Sequence, residues 1–97
     1  MVFAEMEYHK HYSDFHTELL AFIDQHFSQV QSGLQGDSWI WILDGEEKIA
    51  IDTFTSMKHQ IKSPKAGAHV QMVIETLLYE FQLHVYEKPE LEAHEDA

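Results

Sequence analysis

Eight histidines stand in this 97-residue chain, and three of them, His9, His11 and His16, lie close together. A neutral imidazole is a common ligand for zinc and related metals, and His9-Lys10-His11 offers two rings in three residues. The spacing is not that of a built site, because the chain has no His-Glu-x-x-His pair and no cysteine to complete a ligand set. No metal and no cofactor are therefore expected.

Serine, histidine and aspartate are all present, but no Gly-x-Ser-x-Gly elbow, phosphate-cradling glycine loop or dinucleotide fingerprint accompanies them. A domain this small also has little room for a deep substrate pocket. The expectation is a protein that is not an enzyme, with no catalytic residue assigned.

Binding chemistry is better represented. Lys58, Lys62 and Lys65 are three of the six lysines and cluster around Ser63-Pro64, where a hydroxyl followed by proline suits the opening of a helix. The free amides of a helix start favour an anion, so Lys58, Lys62, Ser63 and Lys65 form a candidate site for a phosphate or carboxylate. The competing reading is that these lysines protect exposed strands from aggregation. A second candidate surface consists of Trp39, Trp41, Glu5, Glu7, Asp52, His84 and Tyr86, a mixture of aromatic anchors and carboxylates suited to a protein partner.

Charge narrows the partners. Seventeen acidic residues face six basic ones, all lysine, for a formal charge of -11. Such a chain repels phosphate backbones and lacks arginine, the planar donor that reads guanine, so direct nucleic-acid binding is not expected. A basic protein partner fits, although the same charge also serves solubility. With no cysteine, no long apolar run and no basic leader in the sequence, a cytoplasmic protein that does not engage membranes is expected.

The elements that must position these residues follow from periodicity. Val2, Ala4, Met6 and Tyr8 alternate with Phe3, Glu5, Glu7 and His9, which predicts a first strand, with an early start of the next helix as its rival. A helix capped by Ser13 or Asp14 carries Phe15, Leu19, Phe22, Ile23, Phe27 and Val30 on one side and runs to about Ser32, where Gly33 ends it. Trp39 to Leu43, the Asp44-Gly45 turn and Lys48 to Phe54 form a hairpin, which Met57 to Lys62 extends with Ser56 as a bulge. A second helix opens at Ser63-Pro64, and Leu83 to Glu87 makes the last strand before Pro89.

The sum is one α+β domain over residues 1–88 and an acidic disordered tail over 89–97. Its β-α-β-β-α-β order predicts a ferredoxin-like two-layer sandwich, four antiparallel strands with two helices on one face. The face away from the helices would carry Phe3, Glu5, Glu7 and His9, then Ala50, Asp52 and Phe54, then His84 and Tyr86. The Trp39–Leu43 strand would lie at the sheet edge, where its apolar run invites another chain. The expected function is a non-enzymatic protein-interaction module, homodimeric through that edge or the Trp39/Trp41 face, with a small anion or metabolite sensor as the alternative.

Overall fold

In the computed structural model, which describes residues 1–92, the chain forms six strands and two helices. In chain order they are β1 (Val2–Glu7), α1 (Tyr12–His26), β2 (Val30–Gln35), β3 (Asp37–Asp44), β4 (Glu47–Asp52), β5 (Gln60–Lys62), α2 (Ala68–Leu78) and β6 (Gln82–Glu90). All strands join one antiparallel sheet in the order β2-β3-β4-β5-β1-β6. The α+β class is as expected from the sequence. The four-stranded ferredoxin-like arrangement is not: β2 and β5 are additional strands, and each has a physical origin.

β2 replaces the last turns of the expected first helix. The helix ends at His26, whose ring Nδ1 lies 2.8 Å from the Phe22 carbonyl, and Phe27 turns to an extended conformation. The next residues, Val-Gln-Ser-Gly-Leu-Gln, include β-branched, serine and glycine positions that weaken a helix. They pair along β3 from Val30 opposite Ile42 to Gln35 opposite Asp37, so β3 is internal and its expected free edge is occupied by the chain itself.

β5 arises because the second hairpin arm breaks at Asp52. The Asp52 carboxylate accepts the Phe54 amide at 3.2 Å, and the Ser56 hydroxyl accepts the Lys58 amide at 3.2 Å, two side-chain-closed turns that lead the chain out of the ladder and back. Gln60–Lys62 then pairs with both β4 and β1.

Two helix starts also move. α1 is capped by His11, whose Nδ1 accepts the Ser13 amide, rather than by Ser13 or Asp14. α2 opens at Ala68 after Gly67, not at Ser63-Pro64. Ser63 is held in the sheet instead: its amide donates to the Met1 carbonyl at 3.1 Å, and its carbonyl accepts the Met1 ammonium at 2.9 Å.

One face of the sheet is apolar. Ile40, Ile42, Ile49, Ile51, Ile61, Ala4 and Met6 lie on it, and all are buried with Phe15, Leu19 and Ile23 of α1 and Val70, Val73, Ile74 and Leu77 of α2. Both helices therefore cover the same side. Each fully buried isoleucine or leucine contributes about 1.5–3 kcal/mol, so this layer supplies most of the drive to fold. A bulge in β1 between Val2 and Ala4 turns Phe3 to the helix side and puts Val2 opposite Lys62, correcting the expectation that Phe3 faces away from the helices.

β6 runs through Glu90, beyond the expected stop at Glu87, with Pro89 tolerated because this is an edge strand. Of the expected tail, residues 93–97 lie outside the described residues. Among the described residues no helix is long and apolar enough to cross a membrane.

Candidate functional site

The helix-free face is organised as transverse rows, because side chains of paired residues in an antiparallel sheet stand side by side. One row crosses all six strands: Gly33, Trp39, Asp52, Gln60, Glu5 and His84. The next contains Gln31, Trp41, Ala50, Lys62, Val2 and Glu90. Glu7 lies opposite Gln82, beyond the first row. All seven residues of the candidate partner surface, Trp39, Trp41, Glu5, Glu7, Asp52, His84 and Tyr86, thus belong to one face.

They do not form one patch. At the β2 end, the Trp39 and Trp41 rings lie 4.6 Å apart at 43°, and the Lys48 ammonium sits 4.2 Å from the Trp41 ring centre. Trp39 owes its position to Gly33: a Cβ there would fall 2.4–2.6 Å from three indole atoms, so only glycine leaves the ring its place. At the β6 end, Glu5 accepts from Gln60 and Ser56, both at 3.3 Å, and His84 meets Tyr86 edge-on at 5.3 Å. Burial, with Glu5 and Glu90 nearby, raises the Tyr86 phenol above its ordinary value. A shallow groove of about 410 Å3 is lined there by Glu5, Glu7, Tyr8, His9, Lys58 and Gln82.

Between the two ends lies a buried ion cluster. The Lys62 ammonium is 2.5 Å from both Asp52 Oδ1 and Glu92 Oε2, and the Lys62 and Asp52 side chains are only 6% and 4% exposed. Buried charges are tolerated when paired, and here one lysine answers two carboxylates. The cluster borders a cleft of about 240 Å3 lined in part by Met1, Lys48, Ala50, Ser63 and Pro64.

The candidate anion residues are dispersed among different partners. Lys58 donates to the Tyr8 carbonyl and lies 4.3 Å from the Tyr8 ring centre. Lys62 is in the buried cluster. Lys65 pairs with Glu47 at 2.8 Å, and that bond holds the Glu47 carboxyl below its ordinary value. Ser63 Oγ meets His69 Nε2 at 3.0 Å and does not cap the helix.

A polar network that sequence reasoning missed lies beneath β3. His16 Nδ1 is 2.6 Å from Ser38 Oγ, which is 2.7 Å from His59 Nε2; His59 Nδ1 is 2.8 Å from the Tyr8 hydroxyl. Ser38 and His59 are fully buried. Desolvation, with a smaller contribution from His16, pushes the His59 imidazole down to about 4, and burial lowers His16 as well. The Tyr8 phenol is pushed up to about 12, chiefly by burial. The network is therefore neutral at pH 7. A Ser–His contact of this kind resembles a nucleophile and its base, but both residues are shut off from solvent, and the contact ties α1, β3 and the approach to β5 together in the core. Its only sequence signal is Ser38 and His59 placed where the alternation demands inward-facing residues.

Among the described residues, His, Asp and Glu side chains do not gather in threes as a metal site. The three histidines near the chain start diverge: His11 caps α1, His16 joins the buried network, and His9 lines the acidic groove. Compared with protein-family models, curated proteins and solved structures, the chain gives no match.

Proposed function

We propose that the chain is a non-enzymatic protein-interaction domain that works through the helix-free face of its sheet, with the acidic end of that face receiving a basic partner. The observation that carries the reading is the row of paired residues crossing the sheet on the side neither helix covers, ending in a groove edged by Glu5 and Glu7. A chain of charge -11 steers a cationic surface toward itself, and the ring of Tyr8 in that groove adds an aromatic contact that charge alone does not give. The sealed position of Ser38 and His59 favours binding over catalysis. The anion-sensor alternative finds less support, since Lys58, Lys62 and Lys65 already serve protein groups.

Affinity capture from lysate at low and moderate salt tests this, run in parallel with a Glu7→Lys/Glu90→Lys variant. The reading expects a stoichiometric basic protein at low salt that is lost at moderate salt and absent from the variant. Capture that ignores both salt and the two substitutions, or no capture at all, contradicts it.

A further inference from the structure

The two edges of the sheet differ in a way that bears on self-association. β6 carries Glu87, Lys88, Pro89 and Glu90 along its length, and charges and proline on an edge strand oppose pairing with another chain. β2 is six residues without a charge or a proline, and among the described residues it pairs with β3 alone. Every strand edge exposes a set of backbone N–H and C=O groups, so β2 offers an unblocked ladder.

We infer that β2 pairs antiparallel with β2 of a second copy, joining two sheets into one of twelve strands about a two-fold axis near Gly33. The inference rests on reading the chain as an association domain, and it names a second copy as the occupant of this edge. Charge selects that occupant. In a molecule of -11, like-charge repulsion opposes self-contact at most surfaces, and the uncharged β2 edge is a place where two copies meet without juxtaposed carboxylates. The sequence of β2 is also self-complementary. With Gly33 on the axis, Gln31 stands opposite Gln35 of the second copy on the open face, an amide pair able to donate and accept in both directions. Ser32 and Leu34 stand opposite one another on the helix side.

Glycine at the axis has a further consequence. Because Gly33 leaves its position to the Trp39 indole, the ring already lies toward the edge, and the two Trp39 rings flank the seam. Pairing therefore changes the surroundings of a fluorophore, which gives a readout separate from mass.

Sedimentation velocity in a dilution series, with tryptophan emission followed on the same samples, tests the pairing. The wild type is expected to dimerise, and its emission to shift to the red as it dissociates. Gln31 and Gln35 are exposed, and both variants carry the same Gln35→Glu opposite Asp37, so their difference reports the pairing between copies while circular dichroism verifies the protomer fold. Gln31→Glu/Gln35→Glu places like charges opposite one another twice by symmetry and should weaken the dimer at least about tenfold. Gln31→Lys/Gln35→Glu places opposite charges together only if pairing is antiparallel about Gly33, and should dimerise as well as the wild type or better.

A wild type that stays monomeric at every concentration overturns the inference, as do two variants that both dimerise as well as the wild type. Loss of the dimer in both variants overturns the stated register. Each protein is also tested for capture of a basic partner: a dimer without capture retires the acidic-face reading alone, and capture without a dimer retires this one alone.

Discussion

At one end of the sheet, β6 presents glutamates, a lysine and a proline along its edge, and its neighbour β1 adds Glu5 and Glu7 to the open face. At the other end, β2 has no charge, and its neighbour β3 adds two tryptophans. The same sheet thus carries an electrostatic surface and an apolar, backbone-rich one. The difference teaches that a large net charge is not a uniform property of a surface. Seventeen acidic side chains set the long-range field, while contact is decided by where they are missing. Lys62, Asp52 and Glu92 occupy the seam, where the two ends meet and where charge is buried rather than displayed.

The seam should show the largest response. Lys62→Met leaves Asp52 and Glu92 buried against each other without a cation and should lower stability by about 3–5 kcal/mol. Adding Asp52→Leu to that variant should restore much of the loss, because removing a buried charge along with its partner removes the unmet desolvation. Urea unfolding monitored by circular dichroism measures both. A single substitution that costs under about 1 kcal/mol would show that the cluster does not tie the ends together.

Acid should act next, through the buried network that joins Ser38, beside Trp39, to Tyr8 at the acidic groove. The folded His59 titrates near 4 and the unfolded chain near 6.5, so between those values the unfolded state holds more protons and stability falls as pH falls. The contribution is intact above about pH 6.5 and declines by about 3 kcal/mol by pH 4. His16, also lowered, adds in the same direction. Because Ser38 joins both rings directly beside Trp39, urea titrations read by tryptophan emission at pH 7 and pH 4.5 should record the loss. A His59→Gln variant should flatten the pH dependence; an unchanged slope would remove the buried imidazole from the explanation.

Smaller still is Gly33→Ala. Its added Cβ meets the Trp39 indole, and overpacking of this kind costs about 1–3 kcal/mol. The penalty should shrink in a Trp39→Leu background, and thermal melts of the four proteins form the cycle that decides it. At the acidic end, Glu7→Lys and Glu90→Lys should change stability by no more than about 0.5 kcal/mol while reversing the local field, since both side chains are exposed. A larger loss would mean that these glutamates maintain the fold and are not free to receive a partner.

Much of the open face was legible in the sequence because a period of two places Glu5 and Glu7, Trp39 and Trp41, and His84 and Tyr86 on the same side of their strands whatever the strand order. The hairpin around Asp44-Gly45 was legible for the same reason, with Gly45 at φ 61° supplying the turn. β2 was not legible. Val30 continues the apolar stripe of α1, and nothing local says that Gly33 faces an indole from another strand rather than ending a helix. Tertiary demand decided it, since the apolar β3 needed a partner on its free side. Phe3 was misplaced because a bulge is a register event invisible to alternation. The fate of the lysines depended on partners distant in sequence, Asp52 and Glu92 for Lys62, Glu47 for Lys65 and the Tyr8 carbonyl for Lys58, which composition does not record.

The division of the sheet is tested most directly by backbone hydrogen exchange compared between concentrated and dilute protein. Protection that rises with concentration in Val30–Gln35, with Gln82–Glu90 unchanged, is the predicted result. Protection that rises in β6, or in neither edge, would contradict a sheet with one end open to its own copy and the other reserved for a basic partner.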